Sequence, residues 1–358
     1  MTTTCRKVAI LAEGSFTVLS AKTAVGVIRY SNHEIVAVID STQAGKTVQD
    51  VLGFGGAIPI VSSVEDVLKF QPEVLLIGIA PTGGQLPEGS RVAVTDALNA
   101  GMHVWSGMHA FLSDNAEFAR LAAEKHVEIW DVRKPRLDLY VGLAQCLKAN
   151  AYILLTVGSD CNVGKMTTAL ELQKHAREKG FKAGFVATGQ TGILIEGRGT
   201  PLDAIPGDFM SGEVERLVME LDAEGCDVIF VEGQGSLVHP GFGPVTLGLM
   251  LGAMPDGYIL CHQHSRKTFR PDYDLDLPTL PVAVKHYEQL MEFHKGPKVK
   301  AVALNTFDLS AEAADQAVVE TEAETGMPAA DPIRHGVAKL WDAIEADVRK
   351  KRGAVVTK

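Results

Sequence analysis

The stretch LLTVGSDCNVGKMTTALELQKHAREKG, residues 154–180, decides how this chain is read. Ile153, Leu154, Leu155 and Val157 form a short strand-like apolar run, the run stops at Gly158, and a helical pattern extends from Lys165 to Gly180. Strand, glycine-bounded loop and helix in that order make a phosphate cradle. Glycines let backbone N–H groups curl around an anion, the helix N-terminus favours negative charge, and a lysine reaches the oxygens. The expected binding element is therefore Gly158, Ser159, Asp160, Cys161, Asn162, Val163, Gly164, Lys165, Met166, Thr167 and Thr168, with Lys165 as its lysine.

Two departures from the ordinary pattern carry information. Five residues separate Gly158 from Gly164 instead of the usual four, and Met166 stands where a Ser or Thr hydroxyl normally helps to hold Mg²⁺. Thioether sulfur is a poor ligand for a hard cation. Thr167 lies about 100° further around the helix, so it does not take over directly, and Thr168 is the remaining hydroxyl. The loop is expected to grip a phosphate-bearing ligand without hydrolysing it, and no resident metal is expected.

Outward from this loop, short apolar runs alternate with helical stretches along the whole chain. KVAILAEG, HEIVAVID, IPIVSS, EVLLIGIAP, HVWSG and VEIWDV lie in residues 7–132, and AYILLTVGS, KAGFVAT, DVIFVEGQG, GYILCHQH and VKAVALNT follow. Runs without strict alternation, separated by helices, predict parallel strands covered on both faces. Pro135 interrupts the pattern before an apolar periodicity resumes, which places a boundary there. The expected fold is α/β: a Rossmann-like parallel sheet over 1–134, then a P-loop NTPase-like parallel α/β domain over 135–358. In the final helix Val337, Leu340, Trp341, Ile344 and Val348 share one face.

Composition sets the outer limits. The 358 residues are 46% hydrophobic and 22% charged, with a net charge of -10 and no block of like charge. Neither nucleic acid nor an anionic membrane is attracted globally, so the expected partner is a small molecule met by a local site. Five cysteines show no C-x-x-C pair, which suits a reducing cytoplasm. The longest later apolar run, VTLGLMLGAM, stops at Pro255 and Asp256 at half a membrane span. A homo-oligomer is the expected assembly.

Three further stretches carry candidate chemistry. Glu232 ends an apolar strand before glycines in VEGQGSLVHPGFG, placing a carboxylate at the crevice where open α/β sheets bind ligands, with His239 following. VATGQTGILIEGRGTPLDAIPGDFMSGEVERLV reads as a long binding loop before a helix near Ser211, and offers Gln190, Thr191, Arg198, Asp203 and Asp208. LCHQHSRKTFRPDYD brings His262 and His264 to one strand face and Arg266, Lys267 and Arg270 beyond it, a set suited to carboxylate or phosphate groups. Two other stretches are weaker. STQAGKT has Asp40 where the first glycine should be and reads as a loop with Thr47 at a helix start, while AEGSFTVLSA has only Gly14 of a dinucleotide fingerprint.

With Asp160 two residues after its first glycine, the loop resembles the G-T-D-T-x-V-G-K-T loop of dethiobiotin synthetase, and VEGQG resembles that family's V-E-G-A-G. The substrate lysine of that family's K-P-V stretch has no counterpart, since Ala187, Thr188, Gly189 and Gln190 occupy the region. Over nearly its full length the chain resembles a P-loop family labelled as a domain of unknown function, or loosely as NAD-dependent epimerase/dehydratase. The characterised members of that family are D-glutamate N-acetyltransferases. DSTQAGKT, GSDCNVGKMTT, TGQTGILIEGRG, DAIPGDFMSGEVE and VEGQGSLVHP carry the likeness.

The resemblance implies acetyl transfer from acetyl-CoA to the amine of D-glutamate or a related D-amino acid, with the loop holding phosphates of coenzyme A. Such a site needs a base, oxyanion donors and cations for two carboxylates. Glu232, with His239 or His264 as competitor, is the expected base. Backbone N–H groups of Gly233 to Gly235 are the expected oxyanion donors, and Gln190, Arg198, Arg266 and Arg270 the substrate contacts. A Mg-ATP-dependent ligase of the dethiobiotin synthetase type is the alternative, which phosphate release would reveal. A nucleotide-binding sensor would bind without turnover, and an NAD-dependent oxidoreductase would respond to NADH.

Overall fold

The computed structural model describes residues 5–18, 20–80, 84, 86–270 and 273–356. The chain packs as two compact units, one of residues up to Pro135 together with Gly189–Ala204, the other of Arg136–Thr188 with Ile205–Lys358.

The first unit alternates β1 (Lys7–Leu11), α1 (Lys22–Tyr30), β2 (Glu34–Ile39), α2 (Val48–Leu52), β3 (Ile60–Val61), α3 (Val64–Val67), β4 (Val74–Ile77), α4 (Glu88–Asn99), β5 (His103–Ser106), α5 (Ala116–Lys125) and β6 (Ile129–Asp131). The six strands lie in the order β3-β2-β1-β4-β5-β6 and every pairing is parallel. This is the Rossmann-like order expected from the apolar runs. Asp40 directly follows β2, as a ribose-binding acid would. Its fully buried carboxylate instead accepts from the N–H of Gly14 (3.1 Å), Phe16 (2.9 Å) and Thr42 (3.0 Å), which ties the loop after β1 to its own strand ends. Thr47 caps α2 reciprocally with Asp50, as its place in STQAGKT suggested.

The second unit contains β7 (Tyr152–Gly158), α6 (Lys165–Glu178) and β8 (Ala183–Val186). The chain then gives α7 (Gln190–Glu196) to the first unit and returns with α8 (Gly207–Ala223), β9 (Val228–Val231), α9 (Gly243–Ala253) and β10 (Gly257–Gln263). It finishes with α10 (Leu280–Leu290), β11 (Lys298–Asn305), α11 (Ala311–Thr325), β12 (Ala329–Ala330) and α12 (Ala338–Val356). The strand order is β12-β11-β10-β7-β9-β8, again all parallel. All seven residues of β7 are buried, because helices cover both faces of the sheet. Val337, Leu340, Trp341, Ile344 and Val348 are buried as their shared face predicted, and Trp341 meets Phe181 edge-on at 5.1 Å between ring centroids.

Three local expectations change. The glycine-rich stretch after β8 is not one long loop, because Gly189 and Gly197 bound α7, whose Ile193, Leu194 and Ile195 are buried. The following helix starts at Gly207, directly after Pro206, four residues before Ser211. After Pro135 the apolar residues form only a 3₁₀ turn at Gln145–Lys148, and the preceding chain is held by Glu215, whose carboxylate accepts from Leu143 N and Gln145 N.

Candidate functional site

β7 delivers Gly158 to the carboxyl edge of the second sheet, and the chain turns there because Ser159 N donates to Cys261 O of β10 (3.0 Å). Asn162 (φ 55°) and Gly164 (φ 100°) take left-handed backbone, and Gly164 caps α6. Among the described residues, the N–H groups of Asn162 through Thr167 have no acceptor. Consecutive open donors at a helix N-terminus form an anion cradle. Lys165, only 6% exposed, donates from Nζ to Asp160 O (2.8 Å), and burial pushes its ammonium pKa down. Gly233 makes room for the lysine stem: a Cβ there would lie 1.7 Å from Thr156 O and 2.9 Å from Lys165 Cδ.

Met166 is half-buried and offers no hydroxyl. Thr168 does not replace it, because its Oγ1 donates to Gly164 O (3.0 Å) inside the helix and accepts from Cys261 Sγ. Thr167 is half-buried at the next position on the helix. Asp160 is buried and satisfied: Oδ1 accepts from Cys161 N (2.7 Å), while Oδ2 accepts from Arg266 Nη1 (2.8 Å) and Arg270 N (3.0 Å). Arg266 also donates to Cys161 O and Gln263 Oε1. Asp160, Cys161 and His239 each place a ligand atom within 4.8 Å of the others. The guanidinium already neutralises that carboxylate, and His239 has no ring nitrogen to spare.

His239 was the competing base. Its Nδ1 accepts from Gly241 N (3.0 Å) and Phe242 N (3.1 Å), which leaves the proton on Nε2 to donate to Arg270 O (2.6 Å). The ring is a brace between two loops. His262 and His264 do not act together. Nδ1 of His262 bonds Ser159 Oγ (2.8 Å), whereas His264 leaves the strand end and pairs with Glu320 of α11 (3.4 Å). Burial is the main cause that pulls the His262 pKa down to about 4, with the nearby cationic groups of His264, Lys267 and Arg266 adding to it. Arg270 contributes backbone to the loop, and its side chain is exposed.

Glu232 directly follows β9, 4% exposed, and its Oε2 accepts from Thr188 N (2.9 Å) just beyond β8, while Thr188 Oγ1 donates to Glu232 O (2.7 Å). β9 is the neighbour of β7, so the carboxylate lies one strand from the loop-bearing strand and is turned toward β8. Gly233 is removed from the oxyanion donors, since its N–H donates to Thr156 Oγ1 (3.0 Å); Gln234 and Gly235 remain. Gln190 and Arg198 belong to the first unit. There Gln190 Oε1 accepts from Arg133 Nη2 (2.7 Å), and buried Arg133 also binds Gly107 O and Asp203. Arg133, Ser159, Thr156 and Thr188 escaped the sequence reading as partners, although SDCN and VATG held two of them in plain view.

Residues 139–341 match the family described as a domain of unknown function, DUF1611, P-loop domain, and residues 41–135 match its Rossmann-like N-terminal domain. A D-glutamate N-acetyltransferase of Tritonibacter scottomollicae is 38% identical over 288 residues, 79% of this chain and 84% of that protein. A second protein of that name, from a Pseudoalteromonas species, is 33% identical over 279 residues, 78% of this chain and 83% of that protein. The crystal structure of a DUF1611 family protein from Anabaena variabilis, 38% identical, covers 95% of this chain and 99% of its own with a TM-score of 0.90. A Rossmann-like sheet, a P-loop sheet and likeness over most of the length agree: the chain belongs to the DUF1611 family.

Proposed function

We propose that this protein is an acyltransferase that moves an acetyl group from acetyl-CoA to the amine of D-glutamate, with the loop at Gly158–Thr168 holding phosphates of coenzyme A. Relatives of that name at 38% and 33% identity support the reaction class. The observation that carries the ligand assignment is the loop itself, with open N–H groups, a buried Lys165 and no hydroxyl at position 166. These features suit phosphate oxygens, and position 166 lacks the hydroxyl that holds magnesium for breaking a phosphoanhydride bond.

Acetyl transfer needs the ammonium proton removed, the amine added to the thioester carbonyl, and the tetrahedral oxyanion collapsed with loss of the coenzyme A thiolate. Glu232 is the proposed base and Gln234 N and Gly235 N the proposed oxyanion donors. The pantetheine arm separates phosphates from thioester, which suits a carboxylate that is turned toward β8 and bonded to Thr188 N instead of to the loop. The test is thiol release from acetyl-CoA with a panel of D- and L-amino acids, in EDTA and in Mg²⁺. Release with D-glutamate in EDTA, lost in Glu232→Gln, is expected. Release of phosphate from ATP with no thiol released would replace this reading with the ligase.

A further inference from the structure

We propose that Arg266 is the resident cation of the phosphate loop and occupies the role that a divalent metal plays in magnesium-using loops of this kind. The inference rests on the phosphate-binding reading of Gly158–Thr168. A metal does not fit the residues present: position 166 is a methionine, the Thr168 hydroxyl is spent on Gly164 O, and both oxygens of Asp160 are engaged. A bare carboxylate at that place would repel a phosphate arriving at the neighbouring N–H groups. Something positive must offset it.

Arg266 does so. Its side chain is 8% exposed against 0% for Asp160, and the ion pair closes at 2.8 Å. Nη1 of the guanidinium donates to both Asp160 Oδ2 and Cys161 O, and Nη2 is anchored on Gln263 Oε1. Nε of Arg266 is buried and has no acceptor among the described residues, a cost that an oxygen of a bound anion would remove.

The test is calorimetric titration of acetyl-CoA, without acceptor amine, into wild type, R266Q and the double variant D160N/R266Q, each in EDTA and in Mn²⁺. Wild type is expected to bind equally in both. R266Q should bind at least tenfold more weakly in EDTA and regain affinity in Mn²⁺, because Asp160 is freed to hold the ion. The double variant should bind weakly in both. A wild type that needs Mn²⁺, an R266Q of undiminished affinity, or a folded R266Q that Mn²⁺ does not rescue overturns the proposal. Should R266Q fail to fold, R266K keeps the charge and is expected to bind within a few-fold of wild type in EDTA, and a tenfold loss overturns the proposal. A wild type that ignores acetyl-CoA yet binds ADP defeats the acetyl-CoA reading alone, and Arg266 is then judged on ADP with the same variants. Binding of neither ligand defeats both.

Discussion

Replacing His262 by Asn tests whether the wall of the loop holds a neutral imidazole. Nδ1 of His262 bonds Ser159 Oγ at 2.8 Å, and the Asn amide offers the same contact without a titrating group. The unfolded ring titrates near 6.5, and in the folded protein burial draws it to about 4. Between those values the unfolded chain binds a proton that the folded chain refuses, so acid favours unfolding. The stability associated with the neutral ring is fully present above pH 6.5 and is lost as pH falls toward 4. At 1.36 kcal/mol per pKa unit the loss is about 3 kcal/mol. Urea unfolding at half-unit pH steps from 7.5 to about 4 measures it, and the readout is the difference between wild type and variant. That difference should shift in favour of the variant by about 3 kcal/mol across the window. Parallel curves would show that His262 titrates as an exposed ring and that its burial has been misread.

Three other perturbations follow from the geometry. Gly233→Ala puts a Cβ 1.7 Å from Thr156 O, and the forced shift should cost more than about 3 kcal/mol in chemical denaturation. Arg133→Met removes the buried donors to Gly107 O and Gln190 Oε1 while exposed Asp203 is rehydrated, with an expected loss of about 1–2 kcal/mol in the same measurement. Glu215→Gln keeps an oxygen for Leu143 N or Gln145 N but loses the charge, so a loss of about 1 kcal/mol is expected.

Much of the fold was legible because burial on both sheet faces writes itself as uninterrupted apolar runs, and each of those runs is a strand. The loop was legible for a related reason: glycines, lysine and the strand before them lie within one continuous stretch. What escaped depends on long-range pairing. Asp160 meets Arg266 across 106 residues and Ser159 meets His262 across 103, and no periodicity links them. Sequence reading therefore gave Arg266 to a substrate carboxylate, whereas the fold spends it on the loop. His239 was read as a base because a histidine after a glycine turn is chemically apt, yet two backbone N–H groups claim its lone pair. The helix at Gln190–Glu196 was hidden by its glycines: Gly189 and Gly197 mark its ends, and Gly192 lies within it without breaking it.

The most direct test of the account is the kinetics of Lys165→Met with D-glutamate and acetyl-CoA in EDTA. Removing a charged donor to phosphate costs about 1.5–3 kcal/mol, or roughly 10- to 150-fold in affinity. The account predicts a rise of that size in KM for acetyl-CoA with KM for D-glutamate unchanged. A KM for acetyl-CoA equal to that of wild type would contradict it and detach the loop from coenzyme A.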